Sequence, residues 1–195
     1  MDVSLPITTV APSLDGPVLA ALAATTTPMG LATIHARAGR GSKSGIRSVL
    51  VRMVAEGLVL DVPGGYVLNR DHLAAPAIES LASLHGELVD RIRQAVEEWP
   101  VPPTVVGLFG SAARRDGDSS SDIDVLVVSE DPQLAERVDA LAWQVQRWTG
   151  NSAHVVGRTP AEVARLRRAK EPILAECTRD LVVIVGSRAV LGTMA

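Results

Sequence analysis

The sequence predicts an α+β protein in two parts, a helical front half and a back half in which strands alternate with helices. Three observations carry this reading. Apolar residues recur at helical spacing in three short segments before residue 57, and two β-rich runs follow around a Pro-Gly turn. A longer helical run over 73–99 ends at Pro100. After Pro102-Pro103 short apolar runs with strand character alternate with amphipathic ones.

The first dozen residues contain Pro and Thr without a pattern and read as a flexible or edge segment. Asp15 reads as a helix N-cap, with Pro17 in the first turn and Val18, Leu19 and Leu22 behind it. The run TTTP ends that helix, and a second is predicted over 29–38, closing near Gly39 and Gly41. Ser42 reads as the N-cap of a third helix, whose apolar positions are Ile46, Val49, Leu50, Met53 and Val54, with Gly57 as its stop. Residues 58–60 and 66–68 flank Asp61-Val62-Pro63-Gly64-Gly65 as a hairpin. Three short helices followed by a small hairpin is the order of a winged helix-turn-helix, with the third helix as the recognition helix and Tyr66 at the edge of the wing.

In the 73–99 run Ile78, Leu81, Leu84, Leu88, Ile92, Val96 and Trp99 predict one long connecting helix, with a kink near Pro76. The predicted organisation is therefore a winged helix-turn-helix over 1–75, a connecting helix over 76–101 and an α+β domain over 102–195. In the last part, strands are predicted over 104–109, 123–128, 153–156 and 181–185. Helices are predicted over 132–148, 160–168 and 173–178.

Composition narrows the class. An apolar content of 47% and a charged content of 21% in 195 residues exclude a disordered or fibrous chain. The one cysteine, Cys177, forms no internal disulfide and has no metal-ligand spacing around it, so it reads as an inert buried thiol in a reducing compartment. The start carries an acid where a secretory leader has Lys or Arg, and no apolar run is long enough to span a bilayer. A cytoplasmic protein with no membrane partner is expected. Charge is unevenly spread: residues 28–60 hold Arg37, Arg40, Lys43, Arg47 and Arg52 against Glu56 alone, whereas the chain after Ala75 is acidic.

Lys43, Ser44, Arg47 and Ser48 fall on the face of the third helix opposite Ile46, Leu50 and Val54. A basic, polar face on that helix predicts contact with the phosphates of duplex DNA. The competing reading of this half is a protein-interaction or dimerisation domain.

The stretch GLFGSAARRDGDSSSDIDVLVV over 107–128 carries the chemistry. A strand runs into Gly110-Ser111, a short helix begins there, and a second strand opens with Asp122-Ile123-Asp124. Alternate strand residues share a face, so Asp122 and Asp124 project together. Two neighbouring carboxylates repel unless a cation lies between them, and Mg2+ takes oxygen ligands from one or two carboxylates and substrate phosphates. Gly110 allows close backbone approach, and the amides of the following helix with the Ser111 hydroxyl can hold a phosphate. Arg114, one turn on, can reach one too.

Gly110-Ser111, Arg114 and Ser121-Asp122-Ile123-Asp124 resemble the signature of the minimal nucleotidyltransferase family of the DNA polymerase beta superfamily. The resemblance implies a polymerase-beta-like fold with a small mixed sheet and magnesium at the carboxylates. It also implies transfer of a nucleoside monophosphate from a nucleoside triphosphate to an acceptor hydroxyl, with release of pyrophosphate. Asp122, Asp124 and Ser111 would be catalytic, Asp122 and Asp124 the metal ligands, and Gly110, Ser111 and Arg114 the nucleotide contacts. A partner protein or a tRNA end, in a toxin–antitoxin pair, is the implied acceptor. Family members commonly carry a third acid on the next strand, where this chain has Ala153-His154-Val155-Val156, so His154 stands in its place. A DNA-binding regulator with a transferase-like domain that binds nucleotide without turnover is the alternative.

Overall fold

The computed structural model describes residues 1–171, 177 and 179–191. The chain divides into two compact units, one of residues 4–85 with Asp2, the other from Gly86 onward with Met1 and Val3.

The first unit begins with a 3-10 turn, Pro6–Thr9, in a segment expected to be flexible or an edge. Its order comes from Asp2, whose carboxylate accepts from the amides of Ser4 and Leu5 at 3.0 and 2.9 Å and from the Thr8 hydroxyl. Ile7 is thereby placed in the core. Helix α1 spans Asp15–Ala23, with Leu14 rather than Asp15 at the cap; Asp15 accepts from the Ser13 hydroxyl and pairs with Arg52. Helix α2 covers Leu31–Ala38 and closes on Gly39 in the left-handed conformation. It starts two residues later than expected because Met29 exchanges backbone hydrogen bonds with Tyr66.

Helix α3 spans Lys43–Ala55, and the Ser42 hydroxyl caps it by accepting from the Gly45 amide at 3.1 Å. Strands β1 (Val59–Val62) and β2 (Gly65–Leu68) pair antiparallel, Val59 opposite Leu68. Ile7, Leu22, Ile34, Ile46, Leu50 and Met53 are buried together. Each such side chain contributes roughly 1.5–3 kcal/mol, enough to hold three short helices that would be unstable alone.

The expected single helix over 76–101 is two. Helix α4, Ala75–Ala82, takes Pro76 in its first turn, where the missing N–H costs nothing, so no kink forms there. The interruption falls at Ser83, whose hydroxyl donates to the Ser80 carbonyl at 3.0 Å. Helix α5 then runs Leu84–Glu97.

The second unit is built on a four-stranded mixed sheet in the order β5-β4-β3-β6. Strands β3 (Val105–Phe109), β4 (Ile123–Val128) and β6 (Val182–Gly186) pair antiparallel through β3, and β5 (Ala153–Arg158) runs parallel to β4. Helix α6 (Gly110–Arg114) follows β3, α7 (Leu134–Thr149) crosses from β4 to β5, and α8 (Pro160–Arg168) starts with a capping box of Thr159 and Glu162. Period-two alternation on β4 separates the two faces of the sheet. Ile123, Val125 and Val127 pack with Leu88, Ile92 and Val96 of α5 and Val138, Leu141 and Val145 of α7. Leu126 and Val128 face the other way, with Val163 of α8 and Cys177. Cys177 is buried, as expected. The helix expected over 173–178 lies, Cys177 apart, outside the described residues. Among those described, no helix is long and apolar enough to cross a membrane.

Candidate active site

The candidate site gathers where β3 ends, β4 begins and β5 runs alongside. Asp124 faces the same side as Leu126 and Val128, at the mouth of that face. Asp122 lies one residue before the regular strand and is exposed. Its place is nevertheless fixed, because Ile123 N–H donates to the Ser152 carbonyl at 2.9 Å, extending the β4–β5 ladder to this corner.

Gly110 starts α6 directly after β3, with φ at +68°, in the region that favours glycine. A methyl group there would lie 2.5 Å from Asp124 Oδ2. The bare Cα thus lets the strand-to-helix corner close over the Asp124 carboxylate, a use of glycine beyond the phosphate approach that the sequence suggested. Phe109, opposite Asp124 in the β3–β4 register, sets the corner at this height. Ser111 is half-buried in the first turn of α6.

Arg114 is held by two carboxylates. Its guanidinium donates to Asp116 and to Asp180, both at 2.8 Å, which holds its pKa well above the ordinary value. Asp180 is 66 residues away in the chain, just before β6, and no sequence spacing marks it. Nε and Nη1 carry these bonds, and a guanidinium has further N–H donors on Nη1 and Nη2. Arg115 adopts the left-handed conformation that ends α6.

His154 stands opposite Asp124 in the parallel register of β4 and β5. Its Nδ1 is 3.7 Å from Asp124 Oδ1, and its side chain is 68% exposed against 24% for Asp124. Burial pushes the Asp124 carboxyl above its ordinary range, His154 opposes this, Asp122 adds to it and Arg114 opposes it. The proton is therefore harder to remove from Asp124 than from a solvated Asp, and a cation at the pair would compensate.

Among the described residues no cluster of three or more His, Cys, Asp or Glu side chains forms a metal cage. Two carboxylates with a glycine corner beside them fit a cation that takes its remaining ligands from water and substrate phosphates, the usual habit of Mg2+.

Residues 89–180 match the family model of the nucleotidyltransferase domain. The matched segment runs from α5 through α8 and holds Gly110, Ser111, Arg114, Asp122, Asp124 and His154. Similar solved structures include a toxin-antitoxin with AMP-PNP, 17% identical over 53% of this chain and 77% of that one, with a TM-score of 0.42. A mutant of the toxin-antitoxin MntA-HpeT is 16% identical over 53% and 76%, with a TM-score of 0.40. The tri-AMPylated Shewanella oneidensis HEPN toxin in complex with MNT antitoxin is 17% identical over 53% and 74%, at 0.38. No curated protein matches the chain.

The four residues expected to touch DNA are all exposed on α3, with Val51 at 61% exposure alongside them. The Ser48 hydroxyl donates to the Ser44 carbonyl of its own helix at 3.1 Å. Tyr66 packs partly into the core of the first unit.

Proposed function

We propose that this chain is a magnesium-dependent nucleotidyltransferase that moves a nucleoside monophosphate from a triphosphate to an acceptor hydroxyl. The observation that carries the reading is the closure of the Gly110-Ser111 corner over Asp124, with Asp122 beside it, inside the matched nucleotidyltransferase segment. Asp122 and Asp124 would hold the cation, which when bound neutralises phosphate charge and orients the transferring group. The Ser111 hydroxyl and the amides that open α6 would hold the phosphates. Arg114 would add a positive charge through the donors that Asp116 and Asp180 leave unused. The acceptor hydroxyl belongs, in this reading, to a partner protein or a tRNA end within a toxin–antitoxin pair, as the resemblance of the motif implies. Release of pyrophosphate from each of the four nucleoside triphosphates, with and without magnesium, tests the reaction. Labelled triphosphate and cell lysate would then identify the acceptor, and no magnesium-dependent release or labelling would end the proposal.

For the first unit we propose a winged helix-turn-helix over 1–75 that binds duplex DNA. Support comes from the exposure of Lys43, Ser44, Arg47 and Ser48 on one face of α3, followed by the β1–β2 hairpin. One observation favours a second reading of the whole chain, a cytoplasmic DNA-binding regulator that binds nucleotide without turning it over. His154, not an acid, faces Asp124 from β5, so the pair lacks a third carboxylate from that strand.

A further inference from the structure

We propose that Asn151 is a positioning residue for Asp122, an inference that rests on reading Asp122 and Asp124 as the cation-holding pair. Asn151 lies at the corner between α7 and β5, only 3% exposed, directly after Gly150 closes the helix in the left-handed conformation. Its side-chain amide donates toward three carbonyls: Ser121 at 2.9 Å, Met1 at 3.0 Å and Ser119 at 3.3 Å. Its Oδ1 accepts from the Met1 amine at 2.6 Å, and its own N–H donates to Thr149 Oγ1 at 3.1 Å. The buried amide therefore has partners on both its polar atoms, and its orientation is fixed.

The Ser121 carbonyl belongs to the peptide that joins Ser121 to Asp122. On the far side of Asp122, the Ile123 N–H is held by Ser152 at 2.9 Å. Residues 151 and 152 thus clamp both peptides that flank Asp122, while Asp122 itself lies outside the regular strand and exposed. Within the Ser-rich loop before it, Asp118 accepts from the Ser120 amide and hydroxyl, and the Ser121 hydroxyl accepts from the Asp118 amide. Without the Asn151 donor two of the loop carbonyls lose their buried partner, and the backbone of Asp122 gains freedom that cation binding must then remove.

The test uses the full chain as Asn151→Asp and Asn151→Ala. The first keeps the size of the side chain and an acceptor for the Met1 amine but turns the donor into an acceptor. The second removes the donor without adding charge, and either variant alone decides should the other fail to fold. Amide hydrogen exchange should speed up over residues 118–123 and stay unchanged in β3. Mn2+ titrations in the presence of ATP should show a cation requirement raised about ten- to hundredfold. At saturating Mn2+ the ATP affinity should return to the wild-type value, which general damage to the fold would not produce. Unchanged exchange over 118–123 overturns the proposal, and so does faster exchange with an unchanged Mn2+ requirement. Tighter Mn2+ binding in Asn151→Asp with no change in Asn151→Ala would reduce the effect to added charge and overturn it as well. If the wild type shows no Mn2+-dependent ATP binding, the cation-site reading fails first. The exchange data would then describe a loop contact and nothing more.

Discussion

Gly110 and Asp124 meet so closely that a side chain at position 110 would displace the carboxylate: a methyl group there would lie 2.5 Å from Asp124 Oδ2, at a φ of +68°. Two costs are thus combined in Gly110→Ala. The left-handed backbone alone costs an L-residue about 1–2 kcal/mol. Gly39 isolates that part, since it has the same φ of +68° and nothing within 4 Å of a methyl group. Both alanine variants should lose about 1–2 kcal/mol in urea unfolding, but Gly110→Ala alone should also displace the Asp124 carboxylate. Magnesium-dependent triphosphate binding should fall at least ~10-fold in Gly110→Ala, as for a disturbed ligand-supporting contact, and stay at wild type in Gly39→Ala. Equal binding in the two would show that Asp124 moves aside freely.

Asp124 also carries a pH signature. Burial raises its pKa, so in the folded chain without metal the carboxylate is the costlier form. The associated stability is fully present below the ordinary carboxylate range and is lost as pH rises through the raised value. Asp124→Asn should therefore be more stable than wild type at neutral pH in a chelating buffer, with the difference shrinking on acidification. Urea unfolding across that pH range measures it. A variant less stable than wild type at neutral pH would mean that the carboxylate is already compensated by its surroundings.

Asp122 and Asp124 can be tested together through the ligand. Replacing Asp122 and Asp124 together by Asn should leave the sheet folded, because Ile123, Val125 and Val127 do the packing on β4. With magnesium and a triphosphate at a hundredfold excess over Kd, the wild type should gain about 2.7 kcal/mol of stability by mass action. The double variant should gain none. An equal gain in both would place the ligand elsewhere.

How much of this was legible in the sequence depends on the range of the interaction. The Ser42 cap, the strands over 105–109 and 123–128, and the Gly110-Ser111 turn rest on signals within a few residues, and the sequence displays them. The break at Ser83 was not legible, because apolar spacing runs through it unchanged and the marks of the break are the bonds of the Ser83 amide and hydroxyl to the Ser80 carbonyl. Asp2 tying down the first turn and Asp180 holding Arg114 depend on partners whose approach is decided by the fold. Asn151 follows a glycine that signals a helix end, yet nothing local indicates that its amide faces the loop before Asp122.

On α3, Arg47 is exposed beside Lys43, Ser44 and Ser48. If that face meets duplex DNA, Arg47→Ala should weaken binding to all sequences alike and reduce the salt slope by about 1, the mark of one lost phosphate contact. Fluorescence anisotropy at several salt concentrations provides the slope. Absence of binding to duplexes, including the promoter of its own gene, would leave α3 as a protein-contact surface.

His154 offers the sharpest test of turnover. It faces Asp124 across β4 and β5 with Nδ1 3.7 Å from Oδ1, and it is exposed enough to be replaced without disturbing the core. An imidazole can accept a proton from an attacking hydroxyl, but it brings no negative charge to a cation held by Asp122 and Asp124. His154→Asp supplies that charge at the matching register. Cation affinity should rise about tenfold, equivalent to about 1.4 kcal/mol, and pyrophosphate release should rise with it when the acceptor is present. His154→Ala divides the remaining roles. If the imidazole takes the proton, the alanine variant should bind magnesium and triphosphate as the wild type does while pyrophosphate release falls about 10²-fold or more. If His154 only fills the surface beside Asp124, release should be unchanged. Calorimetric titration and a pyrophosphate assay on the two variants separate these outcomes. No change in either quantity for His154→Asp would mean that position 154, although opposite Asp124, is not where the chain would carry a third carboxylate.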